Sequence, residues 1–259
     1  MRCAVIGLGE AGGVYAAALA AAGHEVLGYD PGDTPTPEGV TRVATLPEAV
    51  GQAACVLVLT GAAAAPAVAE ECLPHLRPGA CYADFTSASP EVMERLGRTV
   101  GERADFADVA ILGPVPLHGH LVPLLASGPG AEAIAQLVRT LGSPVEVLDA
   151  PPGAAMGRKL LRSVFMKGLA SVVCEAVAAG QAAGDEEWIR AEIAKQLAGD
   201  GQAVINRFLT GTRTHAVRRA MEMRDTGAYL DVLGVPSEMT RAAEQTLRRL
   251  SAGRPQRPS

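Results

Sequence analysis

The sequence predicts an α/β fold, with a doubly wound parallel sheet at the N-terminus followed by a smaller, all-α domain. Three observations predict it. A short apolar run at residues 3–6 leads into a glycine turn and an Ala-rich helix within the first 22 residues. Apolar strand-like runs and helical stretches then alternate as far as residue 148. After the run Asp149-Ala-Pro-Pro-Gly153 the text turns to helices alone. The boundaries implied are 1–150 for the sheet domain, 151–250 for the helical domain and 251–259 for a disordered tail.

The first element carries the strongest signal. Gly7-Leu8-Gly9-Glu10-Ala11-Gly12 is a G-x-G-x-x-G turn between a buried strand and the helix at 14–22, which stops at Gly23. Gly7 permits the tight turn, Gly9 lets a pyrophosphate approach the backbone, and Gly12 lets the helix lie close on the strand. The unpaired N–H groups at the helix start suit a diphosphate. A second strand at 25–29 ends at Asp30, 18 positions past Gly12, where the Rossmann dinucleotide-binding fingerprint wants a carboxylate for the ribose hydroxyls. That carboxylate repels a 2′-phosphate, and no Arg or Lys lies between Asp30 and Arg42 to hold one. NAD is therefore favoured as cofactor, with NADP left open. The turn begins so near Met1 that no signal peptide is expected before it.

The remaining elements follow in order. Residues 31–39 are turn-rich, and 40–44 suggest a third strand. Pro47 opens a short helix. A buried strand at 55–59 ends at Thr60-Gly61, near the switch point of a doubly wound sheet, where ligands bind. A helix at 66–76 precedes a strand at 80–84. Ser89 is a plausible N-cap with Pro90 at the first helical position, and that helix runs to about Val100. Strands at 105–110 and 122–126 flank a link rich in Gly, Pro and His. A helix at 131–141 and a strand at 144–148 complete a sheet expected to be parallel throughout. One long helix is expected over 154–183, then helices at 186–197, 202–209, 214–224 and 237–250.

Composition sets the class. The chain has 259 residues, 48% hydrophobic and 20% charged, the profile of a soluble globular protein. A formal charge of −5 argues against a nucleic-acid partner. The apolar stretches are broken by Gly, Pro and charge, so no membrane span is expected. Five cysteines show no C-x-x-C spacing and read as core residues of a reducing cytoplasm. Only 3% of residues are aromatic, and such thin, Ala-rich helices often need a partner chain to complete their core.

Several residues could carry chemistry. Lys159 lies just past the hinge at the start of the long helix, with Ser163 four residues on along the same face. Arg158, Arg162 and Lys167 crowd the same turns; neighbouring cations would depress the lysine and make it a usable proton donor and acceptor. The bland alternative is a solvated basic helix end. The hydroxyls of Thr86, Ser87 and Ser89 could hold an anionic group, although capping alone explains Ser89. His118 and His120 form an H-x-H pair, but no nearby carboxylate or cysteine completes a metal set, so no metal is expected and pocket lining or a plain loop is preferred.

Together these stretches resemble the β-hydroxyacid dehydrogenase superfamily, which includes 6-phosphogluconate and 3-hydroxyisobutyrate dehydrogenases. The glycine turn with Gly23-His24-Glu25-Val26 behind it is similar to the N-terminal signature. Asp84-Phe85-Thr86-Ser87-Ala88-Ser89-Pro90 resembles the D-x-S-T-x-x-P substrate motif with Thr and Ser exchanged. Gly153 to Ser163 resembles the catalytic segment G-x-G-x-x-x-K-x-x-x-N, with Lys159 on the lysine. The second Gly is Ala155 and the Asn is Ser163. The loop at 110–119, containing Pro114-Val-Pro-Leu-His118-Gly119, stands in the place of the P-V-S-G-G substrate loop. These departures look like the subgroup of phosphogluconate dehydrogenase-like oxidoreductases. The resemblance implies an NAD(P)-dependent oxidoreductase acting on a small, carboxylate-bearing hydroxy acid or its keto form. Lys159 would be general acid/base; Thr86, Ser87, His118, Gly119 and Ser163 would border the substrate. The turn residues Gly7, Leu8, Gly9, Glu10, Ala11 and Gly12, with Asp30, would bind cofactor. Thr60 and Gly61 would border the nicotinamide ribose, and Arg219, beside Arg218, would be a basic group near the cofactor. A homodimer or tetramer joined through the helical domain is implied. Three alternatives stay open: an imine reductase of the same architecture, a catalytically silent NAD-binding regulatory protein, and a methyltransferase.

Overall fold

The structure, a computed structural model, describes residues 1–252. Packing divides the chain between Arg162 and Ser163. The first unit is built on one eight-stranded sheet in the order β3-β2-β1-β4-β5-β6-β7-β8, from β1 (Arg2–Ile6), β2 (Glu25–Tyr29), β3 (Val40–Arg42), β4 (Cys55–Val58), β5 (Cys81–Asp84), β6 (Asp105–Ile111), β7 (Leu124–Ser127) and β8 (Val145–Val147). The reversal of direction between β1 and β4 is the switch point of a doubly wound sheet. Helices α1 (Glu10–Ala21), α2 (Leu46–Val50), α3 (Ala65–Cys72), α4 (Pro90–Val100), the short α5 (Val115–His118) and α6 (Ala131–Arg139) connect the strands.

Strand periodicity explains the two layers. Ala4, Ile6, Val56, Val58, Tyr82 and Phe106 pack on one face with α2, α3 and α4. Cys3, Val5, Cys55, Leu57, Cys81 and Ala83 pack on the other with α1 and α6. Cys3, Cys55 and Cys81 fall at paired positions on three neighbouring strands and are free thiols. Burial pushes Cys3 up to about 11, which makes it an inert core residue. Local chemistry sets the helix starts: Thr45 and Glu48 form a capping box at α2, and Ser89 accepts from the Val92 amide at α4 with Pro90 first in the helix.

The expected all-parallel sheet needs one correction. β7 runs antiparallel to β6. The link between them holds only α5 and a short 3-10 turn at Gly119–Leu121. No helix long enough to cross the sheet face is present there, so the chain turns back beside β6. The expected helix at 66–76 is likewise divided into α3 and a 3-10 turn at Leu73–His75.

The helical part consists of α7 (Ala154–Ala183), α8 (Glu186–Leu197), α9 (Gly201–Thr214), α10 (Ala216–Leu233) and α11 (Glu238–Ala252). Helices α9 and α10 run longer than the sequence suggests, and α10 ends at Gly234 in the left-handed region (φ 69°). Residues 251–252 continue α11; the rest of the expected tail lies outside the described residues. Within the second unit, Gly180 lets α8 approach α7, since a Cβ there would lie 2.5 Å from Ile189 Cγ2. Glu175 on α7 caps α11 by accepting from the amides of Met239 (2.7 Å) and Thr240 (2.8 Å) and from the Thr240 hydroxyl.

Helix α7 is long and apolar enough, by length and composition, to cross a membrane, with a mean hydropathy of 1.4 in its best window. Its glycines do not interrupt the helix, and its charges concentrate in the first half.

Candidate functional site

At the carboxyl end of β1 the chain turns through Gly7 at φ 91°, a conformation that favours glycine. A Cβ on Gly7 would lie 2.8 Å from the Leu59 carbonyl oxygen and 3.1 Å from Thr60 Cγ2, so the turn presses against the end of β4. A Cβ on Gly12 would sit 1.8 Å from the Gly7 oxygen, which fixes α1 tightly over the turn. Gly9 is different: a Cβ there meets nothing within 4 Å. It is also the N-cap of α1, with no side chain capping the first amides. The turn therefore offers an open approach to donor N–H groups at a helix N-terminus, which fits a pyrophosphate.

Asp30 stands beside this opening. One carboxylate oxygen accepts from the Leu8 amide (2.7 Å) and the other from the Gly32 amide (2.8 Å). An ionised carboxylate has about four acceptor positions, so ribose hydroxyls still have lone pairs to use. Arg42 was set aside in the sequence as the end of a region without cations. Its guanidinium donates to the carbonyls of Asp30, Gly32 and Thr34, so it braces the loop after β2.

The ends of β4 and β5 supply the next residues. Thr60 lies against Gly7, and Gly61 has open space around its Cα. Phe85, directly after β5, packs on Tyr15 of α1 with ring centroids 5.4 Å apart. The loop carrying Thr86 and Ser87 is thereby set beside the helix that follows the glycine turn. Thr86 is 2% exposed, and its amide donates to Asp84 Oδ1 (2.8 Å), whereas Ser87 is exposed. Of the two, Ser87 is the one presented. The loop of His118 also reaches this side: a Cβ on Gly119 would touch Val14 of α1 at 3.9 Å.

Lys159 completes the group. Its Nζ donates to Ser87 Oγ at 2.7 Å across 72 positions of sequence. Both residues belong to the first unit, because the opening turns of α7 are built into the sheet domain. Gly153 at φ 97° starts the helix; a Cβ there would lie 2.8 Å from the Pro90 carbonyl. Asp108 on β6 accepts from the amides of Gly153 (2.9 Å) and Met156 (3.1 Å) and from Ser127 Oγ (3.2 Å). Ser127 in turn accepts from the Ala155 amide at 3.1 Å. Burial pushes Asp108 upward, opposed by the hydrogen bonds from Met156, Gly153 and Ser127. Asp84, paired with Asp108 on the adjacent strand, is pushed up to about 6 by burial, against the hydrogen bonds from Thr86 and with some help from the Asp108 charge.

Other candidates have other partners or belong to the second unit. Arg158, grouped in the sequence with Lys159, pairs instead with Glu146 on β8 at 3.0 Å. Ser163 lies one turn further along α7, in the second unit. Arg219 also lies in the second unit, on α10, where it donates to Thr212 Oγ1 at 2.9 Å, and its neighbour Arg218 pairs with Glu222. His24 meets the N-terminal amine and Thr140 and serves no site. No group of three or more metal-ligating side chains occurs among the described residues.

Asp108 and Ser127 were missed in the sequence. The available signal was a carboxylate in the middle of the apolar run Asp105–Ile111, since a charge inside a buried strand needs donors.

Known proteins resemble parts of this chain or its fold. Residues 2–122 match the model of the NAD binding domain of 6-phosphogluconate dehydrogenase, and residues 181–250 match a domain of unknown function, DUF1932. An uncharacterised 28.5 kDa protein of Methanothermus fervidus is 29% identical over 94 residues, a match spanning 36% of each chain. A solved protein of unknown function, described as similar to 3-hydroxyacid dehydrogenases, is 27% identical, with 97% of each chain covered and a TM-score of 0.65. A variant of the imine reductase from Myxococcus stipitatus in complex with NAD+ is 18% identical, with 97% of this chain and 94% of that one covered and a TM-score of 0.79. A reductive aminase from Aspergillus terreus in complex with NADPH and ethyl levulinate is 19% identical, with 98% and 94% covered and a TM-score of 0.78. Residues 2–122 are thus an NAD(P)-binding Rossmann domain of the 6-phosphogluconate dehydrogenase type, in a chain with an oxidoreductase-like fold.

Proposed function

We propose that this protein is an NAD(P)-dependent oxidoreductase that moves a hydride between nicotinamide and a small, carboxylate-bearing hydroxy acid or its keto form. The observation that carries the reading is the Lys159–Ser87 hydrogen bond at 2.7 Å, with Ser87 just past the carboxyl end of β5 and the open Gly9 turn at the carboxyl end of β1. A nicotinamide dinucleotide supplies the hydride chemistry when bound. The amides at the start of α1 would hold its pyrophosphate, and Asp30 its adenosine ribose, which favours NAD. Thr60 and Gly61 would lie along the nicotinamide half.

Lys159 would exchange a proton with the substrate oxygen at Nζ as that carbon gains or loses hydride. Ser87 would orient the ammonium and contact substrate. Gly119 and His118 would border the site from the α5 loop. Ser163, one turn beyond Lys159 on the same helix, would contact substrate as the resemblance implies.

The helical part is proposed to join two copies of the chain. Val164 (77% exposed), Phe165 (63%), Trp188 (65%) and Val232 (83%) lie open to solvent, and few side chains of that unit are buried. Such an apolar surface calls for a covering partner, and a second copy fits better than lipid. Glu175, midway along α7, is committed to capping α11, which a lipid-facing helix would not allow on that side. The four buried free cysteines suit a reducing cytoplasm.

Turnover of a panel of 2- and 3-hydroxy acids and cyclic imines, with wild type and Lys159→Ala, tests the assignment. Hydroxy-acid turnover that falls roughly 10²- to 10⁴-fold in Lys159→Ala, with cofactor affinity kept, is the expected result. Turnover confined to imines would make the protein an imine reductase. Cofactor binding without turnover of either class would leave a regulatory NAD-binding protein.

A further inference from the structure

We infer that Asp108, acting through Ser127 and the first turn of α7, is a positioning residue that sets Lys159 against Ser87. The role deepens the proton-exchange reading above and rests on it.

Helix α7 begins without a capping side chain of its own, since Gly153 occupies that place. The first amides of a helix need acceptors. Here they come from two neighbouring strands: Asp108 Oδ2 takes Gly153 and Met156, and Ser127 Oγ takes Ala155 while donating to the same Asp108 oxygen. Asp108 and Ser127 are both fully buried. Pro152, just before the helix, is seated on Gly97 and Gly128, where a Cβ would come within 2.7 and 3.0 Å of its ring. The helix start is therefore fixed in direction as well as in place. Lys159 lies six residues on, a rise of about 9 Å, so a tilt of about ten degrees at the first turn would move it by more than 1 Å. A displacement of that size breaks a 2.7 Å hydrogen bond.

The other partner is referenced to the same place. Asp84, paired in register with Asp108, holds the Thr86 amide immediately before Ser87. Both ends of the Ser87–Lys159 contact are thus anchored by adjacent carboxylates, at the end of β5 and the middle of β6.

The test needs no substrate, so it stands whether or not the redox assignment does. With only three lysines, selective ¹³C labelling at lysine Cε gives three signals in the full-length protein, assigned by Lys→Arg substitution. Ser87→Ala defines the signal and titration midpoint of Lys159 released from the serine. Asp108→Ala is expected to move Lys159 toward that state by roughly half or more of the same change, leaving Lys167 and Lys195 in place. Asp108→Asn keeps an acceptor oxygen and is expected to restore the wild-type signal. Ser127→Ala, a smaller change that leaves the buried charge intact, should shift Lys159 in the same direction and add little on top of Ser87→Ala. It carries the test alone if Asp108→Ala does not fold. A Lys159 signal unchanged in whichever of these variants folds, or shifts fully additive with Ser87→Ala, would overturn the proposal and reduce Asp108 to a structural cap.

Discussion

Asp84 has no exposed surface, and burial holds it at about 6, above the ordinary aspartate value. A carboxyl raised in the folded state binds its proton more tightly there than in the unfolded chain. Its effect on stability therefore falls as pH rises from about 4 to about 6, and the cost is complete above that window. Asp84→Asn keeps an acceptor for the Thr86 amide and removes the ionisation. Urea unfolding of the two proteins should coincide near pH 4 and diverge in favour of the variant by up to about 3 kcal/mol near pH 7.5. A difference independent of pH would mean that Asp84 is not the group titrating. Lys159 shows where residue-level reading of sequence ends. The helix position and the nearby hydroxyls could be named from spacing, but the meeting with Ser87 across 72 positions is a property of the folded sheet. Only the resemblance to a known catalytic segment pointed to it.

The glycine turn separates two kinds of glycine within one element. Gly12 is packed, with a Cβ position only 1.8 Å from the Gly7 oxygen, so Gly12→Ala should abolish the native turn and lower expression of folded protein. Gly9 faces open space, so Gly9→Ala should fold with stability within about 0.5 kcal/mol of wild type. Its methyl would occupy the approach of the pyrophosphate, and cofactor affinity should fall by about tenfold or more, measured by titration calorimetry. Unchanged affinity in a folded Gly9→Ala protein would remove the pyrophosphate from this turn. This element was legible because its demands are conformational and each falls on a single residue type. The reversal of β7 was not legible, since strand-like text carries no direction and the short link had to be weighed against a crossover length. The start of α7 was legible, but its attachment was not. Helical text begins at Ala154, but Asp108, Ser127 and Pro152 bind its first turns to the sheet unit as far as Arg162.

Across the whole molecule, the apolar surface of the helical part sets the expectation for assembly. Val164 and Phe165 on α7, with Trp188 on α8, are large side chains left in water. Sedimentation equilibrium of the full chain should give a dimer or tetramer, and Phe165→Glu should shift the mass toward one chain and lower thermal stability. A monodisperse wild-type monomer would contradict the covered-face account. The thin, Ala-rich helices raise the same expectation from composition, and the continuity of α7 across its glycines was legible in the sequence as one long helix.

The central claim is that the N-terminal unit binds a nicotinamide dinucleotide at the Gly7–Gly12 turn. Thermal shift with NADH, NADPH and S-adenosylmethionine in parallel tests it most directly. NADH at about 100 times its dissociation constant should stabilise the protein by about 2.7 kcal/mol, with NADPH weaker because Asp30 opposes a 2′-phosphate. Stabilisation by S-adenosylmethionine alone, with no response to either nicotinamide cofactor, would contradict the account and point to methyl transfer instead.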